Sequence, residues 1–380
     1  MSLEKMIYNL KKKENGELPV TREELLVLVN SWGRKASFYT KDSQNKDIYV
    51  ESYEAKECYD LSKLDVSEIT NMSSIFRSSR FNGDISNWNT SNVTNMSYMF
   101  DNAEKFNQPL PWNTSKVKNM YMMFCGTASF NQSLDFNTSN VTNMDRMFCR
   151  ATNFNQPLNF DTSKVTNMNY MFYKATNFNR VLNFDTSSVT DMSGMFYCAT
   201  NFNQPLNFDT SKVTDINLMF AEAIGFNQQL NFDTSKVINM YGILREAKSF
   251  NHPLNFDTSS VNNMNKLLYS ATSFLDKYNN GMEINNPKDW LKQNRDRMIA
   301  LSISKDESTP EQKIVVIENK ISNNKTTLDE LFKEKNIDPN SKIGLELLKV
   351  YNDTHDKLKF ELEDLKTQVI DIATNDFNSI

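Results

Sequence analysis

VTNMNYMFYKATNFNRVLNFDTSS, residues 165–188, decides the fold, because nearly the same twenty-four residues return on either side of it. An apolar residue opens each copy at Ile69, Val93, Val117, Val141, Val165, Val189, Val213, Val237 and Val261, at a constant spacing of 24. Such self-similarity marks an array in which each repeat packs mainly on its two neighbours.

Counting from that opening residue as position 0, apolar side chains fall at positions 3, 6, 7, 10 and 13, which here are Met168, Met171, Phe172, Ala175 and Phe178. Spacings of three and four predict one face of a short helix or 3₁₀ turn. Leu182 and Phe184 follow at positions 17 and 19, an alternation that predicts a short strand. One such repeat is too small to fold alone, so stacking must supply the missing burial and hydrogen bonds. The expected fold is α/β, a leucine-rich-repeat solenoid of nine 24-residue coils with a parallel sheet on one face and short helical turns on the other. At the spacing of adjacent strands, nine coils extend about 40 Å.

Residues 1–68 read as an N-terminal cap. Thr21 and Glu24 form a capping box ahead of Leu25, Leu26, Leu28 and Val29, and Trp32 with Gly33 ends that helix. Phe38, Tyr39, Ile48, Tyr49 and Val50 predict strands, with a hairpin around 42–47. The solenoid is expected over 69–280. It gives way after Phe274, where Asn279, Asn280 and Gly281 form a turn. Residues 281–380 are expected to be α-helical. Trp290, Leu291, Met298, Ile299 and Leu301 mark one helix, Thr309 to Gln312 a start signal with Pro310, and Thr327 with Glu330 another. From 341 to 373 an amphipathic pattern runs through Ile343, Leu347, Val350, Leu358, Leu362, Leu365, Val369 and Ile372. It suits either a cap on the last coil or a coiled coil for self-association.

The phrase NVTNMSYMF at 92–100, followed by FNQPL at 106–110 and returning as KVTNMNYMF at 164–172, resembles the BspA-type leucine-rich repeats. The likeness covers about residues 60–275. Proteins of that kind occur as bacterial and protist surface adhesins and, without export signals, in large DNA viruses. The resemblance implies a protein-binding solenoid with no enzymatic activity. Adhesins of the family usually carry a signal peptide and a wall or membrane anchor, whereas residues 1–30 lack an apolar core and no run suits a membrane span, so an intracellular or virion protein is expected.

Composition narrows the function classes. With 42 Lys and Arg against 47 Asp and Glu, the net charge of -5 leaves no basic surplus for phosphates, which argues against a nucleic-acid partner. Two histidines, His252 and His355, leave little for triad chemistry, and neither a phosphate-binding glycine loop nor a zinc spacing occurs. No catalytic residue, metal or cofactor is expected. Four cysteines in 380 residues fit a reducing compartment. Cys125 and Cys149 share position 8 in adjacent repeats, within disulfide range, although that position also reads as a tolerant surface site.

Asn stands at position 14 as Asn107, Asn131, Asn155, Asn179, Asn203, Asn227 and Asn251, with Asn82 one residue early in the first repeat. Stacked, these predict an asparagine ladder that satisfies the carbonyls of the bend. Position 20 is Asn89, Asn113 and Asn137, then Asp161, Asp185, Asp209, Asp233 and Asp257. An acidic column invites calcium, but the interchange with Asn favours an Asx turn onto the Thr-Ser pair that follows. Position 18 is monotonous from Asn159 through Asn183, Asn207 and Asn231 to Asn255. Variation gathers at positions 4, 5, 8 and 9, so the candidate partner surface is Asp145, Arg146, Tyr170, Tyr173, Lys174, Tyr197, Glu222, Arg245 and Glu246. The expected function is a repeat scaffold for an unidentified protein partner. The alternative is a minor component of a virus particle or cell surface, assembled through the repeats and the helical tail.

Overall fold

A computed structural model describes residues 20–30, 38–41, 47–50 and 61–303, together with Lys349, Asn352, Asp356, Lys359 and Glu363. The chain forms two compact units, one of Met1–His252 with Phe256–Leu291 and one of Pro253–Asn255 with Lys292–Ile380.

In the first unit, α1 (Arg22–Asn30) starts at a reciprocal cap: Thr21 N–H donates to the Glu24 carboxylate at 2.8 Å and Glu24 N–H to Thr21 Oγ1 at 3.2 Å. Leu25, Leu28 and Val29 are buried along it. Arg22 donates to Ser73 O at 2.6 Å, joining this cap to the first repeat. The strands β1 (Phe38–Lys41) and β2 (Asp47–Val50) pair antiparallel, Phe38 opposite Val50. Trp32 and Gly33 lie outside the described residues.

The repeats are joined by their backbones. N–H groups at positions 3, 5, 7 and 9 donate to carbonyls at 2, 4, 6 and 8 of the next repeat: Met168 to Asp191 at 3.1 Å, Tyr170 to Ser193 at 2.8 Å, Phe172 to Met195 at 2.9 Å and Lys174 to Tyr197 at 2.8 Å. Parallel bridges run at position 2 from Asn71 through every repeat to Asn263. The helical turn expected at positions 3–10 differs from this arrangement. The segment is a chain of linked turns, closed by Met171 N–H to Met168 O, Tyr173 N–H to Tyr170 O and Ala175 N–H to Phe172 O at 3.0 to 3.2 Å. Positions 5 and 9 are left-handed throughout, with φ of 51° at Tyr170 and 55° at Lys174. An α-helix would spend every N–H on its own chain, whereas this conformation turns alternate ones toward the neighbour. Each turn still closes over three residues, so apolar spacings of three and four arise without a helix.

The strand expected around Leu182 and Phe184 also differs. Both side chains are buried and Asn183 between them is exposed, yet among the described residues neither belongs to a strand. The link there is a side chain, Thr186 Oγ1 donating to Asp209 O at 3.0 Å.

Phe at positions 7 and 13 fills the interior. Phe172 lies 4.1 Å from Phe178 and 5.7 Å from both Phe148 and Phe196, ring centre to ring centre, in stacked geometry. Met168 and Met171 are fully buried beside them, so the rings add stacking to a large loss of apolar surface.

After the last repeat, α2 (Thr272–Asn279) ends on two left-handed residues, Asn280 (φ 50°) and Gly281 (φ 74°). The helix α3 (Pro287–Ile303) opens with proline at its first position, and Asn286 Oδ1 accepts the Asp289 N–H. Trp290 fixes its start, donating to Asn279 Oδ1 at 2.9 Å with its ring edge-on to Phe274. In the second compact unit Met298 and Ile299 are buried. Lys349, Asn352, Asp356, Lys359 and Glu363 are helical and exposed. The expected starts near Pro310 and Thr327, and the apolar residues from Ile343 to Ile372, lie outside the described residues. Among those described, no helix is long and apolar enough to cross a membrane.

Candidate functional site

Positions 4, 5, 8 and 9 lie on the linked turns, where the backbone carries the contact between repeats and the side chains are left over. The structure joins most of the candidate residues into one network. Arg146 pairs with Asp145 at 2.9 Å and its guanidinium sits 4.9 Å above the Tyr170 ring. Tyr170 meets Tyr173 edge-on at 5.6 Å and lies over Gly194, where an added Cβ would come within 2.4 Å of the ring. Tyr173 packs on Tyr197 at 5.0 Å, and Lys174 stands 5.2 Å from the Tyr173 ring. Tyr197 shares its hydroxyl with Glu222 and Arg245, each at 3.2 Å, and Arg245 closes the set by pairing with Glu222 and approaching Glu246.

Partial burial shapes the electrostatics of this surface. It pushes the Asp145 carboxyl up to about 6 against the pull of Arg146, with Asp191 adding to the rise. Burial also raises the phenols of Tyr170 and Tyr197.

A second cluster escaped the sequence reading. Arg77 binds Asp101 at 2.9 Å and covers Tyr98 at 4.9 Å, and Tyr98 meets Tyr121 edge-on at 4.9 Å. Burial raises the Asp101 carboxyl, with Arg77 opposing. The signal was present: these residues occupy positions 4, 5 and 8 in the first three repeats.

Each position-14 Asn stands beside its counterparts, but with a different role from the one expected. The side-chain oxygen of each accepts the N–H of the next: Asn107 from Asn131, Asn131 from Asn155, Asn155 from Asn179, Asn179 from Asn203, Asn203 from Asn227 and Asn227 from Asn251, at 2.8 to 3.0 Å. In some repeats position 15 serves the carbonyl instead, Gln132 reaching Asn107 O, Arg180 Asn155 O and Gln228 Asn203 O, while Gln156 and Gln204 reach the side-chain oxygens of Asn131 and Asn179. An amide oxygen one residue before a longer side chain suits a backbone donor, and the longer side chain reaches past it to the carbonyl.

At position 20, the Oδ1 atoms of Asp161, Asp185, Asp209, Asp233 and Asp257 accept the N–H of the Ser two residues on, as Asn89, Asn113 and Asn137 do. The Ser hydroxyls hold the first four carboxyls below the usual range. Among the described residues no three His, Cys, Asp or Glu are grouped to hold a metal ion. A further Asx turn at position 2, such as Asn169 N–H to Asn167 Oδ1 at 2.9 Å, was overlooked. Its signal was the same Asn and Asp interchange, at Asp191 and Asp215.

Cys125 and Cys149 are free thiols and both are buried, so the surface reading of position 8 fails for these two, whereas Tyr173, Tyr197 and Arg245 at the same position are half-exposed.

Residues 46–135, 134–207 and 206–295 match the family described as Mycoplasma protein of unknown function, DUF285. The chain belongs to that family, a tandem-repeat family related to the BspA-like proteins. No curated protein and no solved structure matches the chain.

Proposed function

We propose that this chain is a leucine-rich-repeat solenoid of the BspA type and a non-enzymatic scaffold that binds another protein through positions 4, 5, 8 and 9. The observation that carries this reading is the network from Asp145 to Glu246, in which Tyr170, Tyr173, Tyr197, Arg146 and Arg245 are half-exposed and held by one another. Tyr and Arg are the side chains most enriched where interfaces draw their energy. Fixing them before contact lowers the entropy lost on binding. The face also differs from repeat to repeat, unlike the Asn column at position 18 from Asn159 to Asn255, so it can recognise an asymmetric partner.

The test is capture from the native source with the full chain, compared with Tyr170→Ala/Tyr197→Ala and with Asn183→Ala, circular dichroism establishing that each variant is folded. Loss of the captured protein with the tyrosine variant and retention with Asn183→Ala is expected. Equal capture by all three would sink the proposal.

The second reading is assembly through the C-terminal helices, as a particle or surface component. It is favoured by the amphipathic sequence pattern through Ile343, Leu347, Val350, Leu358, Leu362, Leu365, Val369 and Ile372. Sedimentation of the full chain as a monomer at high concentration would remove it.

A further inference from the structure

We infer that Cys125 and Cys149 form an oxidation site, a dithiol that peroxide closes into an intrachain disulfide between the third and fourth repeats. The two residues hold the same position in successive repeats, and Gly126 N–H binds Cys149 O at 2.6 Å, so their main chains run side by side. Phe124 and Phe148, the residues just before them, stack at 5.7 Å with planes 4° apart, so the two segments present their side chains in register. Extended chains bonded side by side through their backbones lie about 4.8 Å apart, and that separation for these turns would fall inside the Cα range of roughly 4.4 to 6.8 Å that a disulfide requires. The two thiols lie near enough to shift each other's ionisation.

Their surroundings divide the roles. Asp101 acts on both thiols, while Arg150 and Arg146 act on Cys149 and oppose it there. The S–H of Cys125 and then the two guanidinium groups lower the Cys149 thiol, whereas the hydrogen bond to Cys149 and burial raise Cys125. Cys149 is therefore the nucleophile and Cys125 the resolving thiol. Cys198 offers the contrast of a single thiol bonded to Glu222 at 3.2 Å and pushed up to about 12 by burial. A small oxidant suits cysteines that are 7% and 5% exposed.

In the first step Cys149 thiolate attacks one oxygen of hydrogen peroxide, the O–O bond breaks, and a sulfenic acid forms with release of hydroxide. That hydroxide takes up the proton Cys149 gave up. Cys125 sulfur then attacks the sulfenic sulfur, the S–O bond breaks, and the Cys125 proton leaves with the hydroxyl as water. Two thiols are oxidised to one disulfide and one peroxide is reduced to two waters. The new bond ties adjacent repeats and opposes their separation on unfolding.

The test treats the reduced full chain with hydrogen peroxide, removes the excess with catalase, alkylates free thiols, and maps peptides without reductant. A Cys125–Cys149 linked peptide, reversed by dithiothreitol and accompanied by alkylated Cys198 and a raised melting temperature, is expected. Sulfinic or sulfonic Cys149 without the link, a link to Cys58 or Cys198, or two unmodified thiols would overturn the inference. In Cys125→Ser, a dimedone adduct on Cys149 is expected, and an adduct on Cys198 in its place would overturn the assignment of the nucleophile.

Discussion

The two flanks of each repeat hold their neighbours with different groups. Across positions 2–10 the bonds run from backbone to backbone, four N–H donors reaching four carbonyls of the next repeat. Across positions 14–21 the chain contributes side chains instead, the Asn179 oxygen to Asn203 N–H and the Thr186 hydroxyl to Asp209 O. The difference explains where the sequence varies. A backbone bond is indifferent to the side chain that accompanies it, so Arg146, Tyr170 and Leu218 can share one position. A side-chain bond is not, and Asn and Thr return at positions 14 and 21 in repeat after repeat. Uniformity on one flank therefore reports structure, and diversity on the other leaves room for recognition.

The interior between the flanks sets the upper bound. Phe172→Ala removes a ring that is fully buried and stacked on Phe148, Phe178 and Phe196. A loss of about 3 to 5 kcal/mol is expected, from the transfer of the ring and the cavity left behind. Urea unfolding followed by circular dichroism measures it. A loss no larger than that of a flank variant would show that these rings are not the common core.

The side-chain flank comes next. Asn179→Ala leaves Asn203 N–H and the Gln204 amide without the acceptor they share at 3.0 and 2.9 Å. The site is half-buried, so water replaces part of the bond and about 1 to 2 kcal/mol is the expected cost. Substitution of Tyr170 by Phe on the other flank keeps its backbone bond to Ser193 and should change urea stability much less. Equal losses would erase the distinction between the flanks.

How much of this was legible depended on which group does the bonding. The period, the buried set at Val165, Met168, Met171, Phe172, Ala175 and Phe178, and the Asx role of Asp185 all follow from side-chain type and spacing. The left-handed residues do not, because Tyr170 and Lys174 carry no preference for positive φ, and linked turns repeat the apolar spacing of a helix. Only Gly126, Gly194 and Gly242, which fall at those same positions, hinted at it. The candidate surface was legible as variation, but the pairing of Arg146 with Tyr170 or Arg245 with Glu222 depends on neighbours 23 or 24 residues away, and Arg77 with Asp101 was missed for that reason.

The smallest effect expected has the opposite sign and belongs to the backbone flank. Lys174 is exposed, holds φ at 55° and donates its N–H to Tyr197 O at 2.8 Å, a bond that any residue with an N–H can make. A left-handed conformation costs an ordinary residue about 1 to 2 kcal/mol, and glycine escapes that cost while giving up some order in the unfolded chain. Lys174→Gly should therefore stabilise the protein by about 0.5 to 1 kcal/mol, even after its exposed contact with the Tyr173 ring is lost. The same substitution at Asn179, where the side chain is the link, should destabilise. Urea midpoints that move in opposite directions for the two variants support the division. A fall for both would mean that Lys174 contributes through its side chain, and that the backbone alone does not hold this flank.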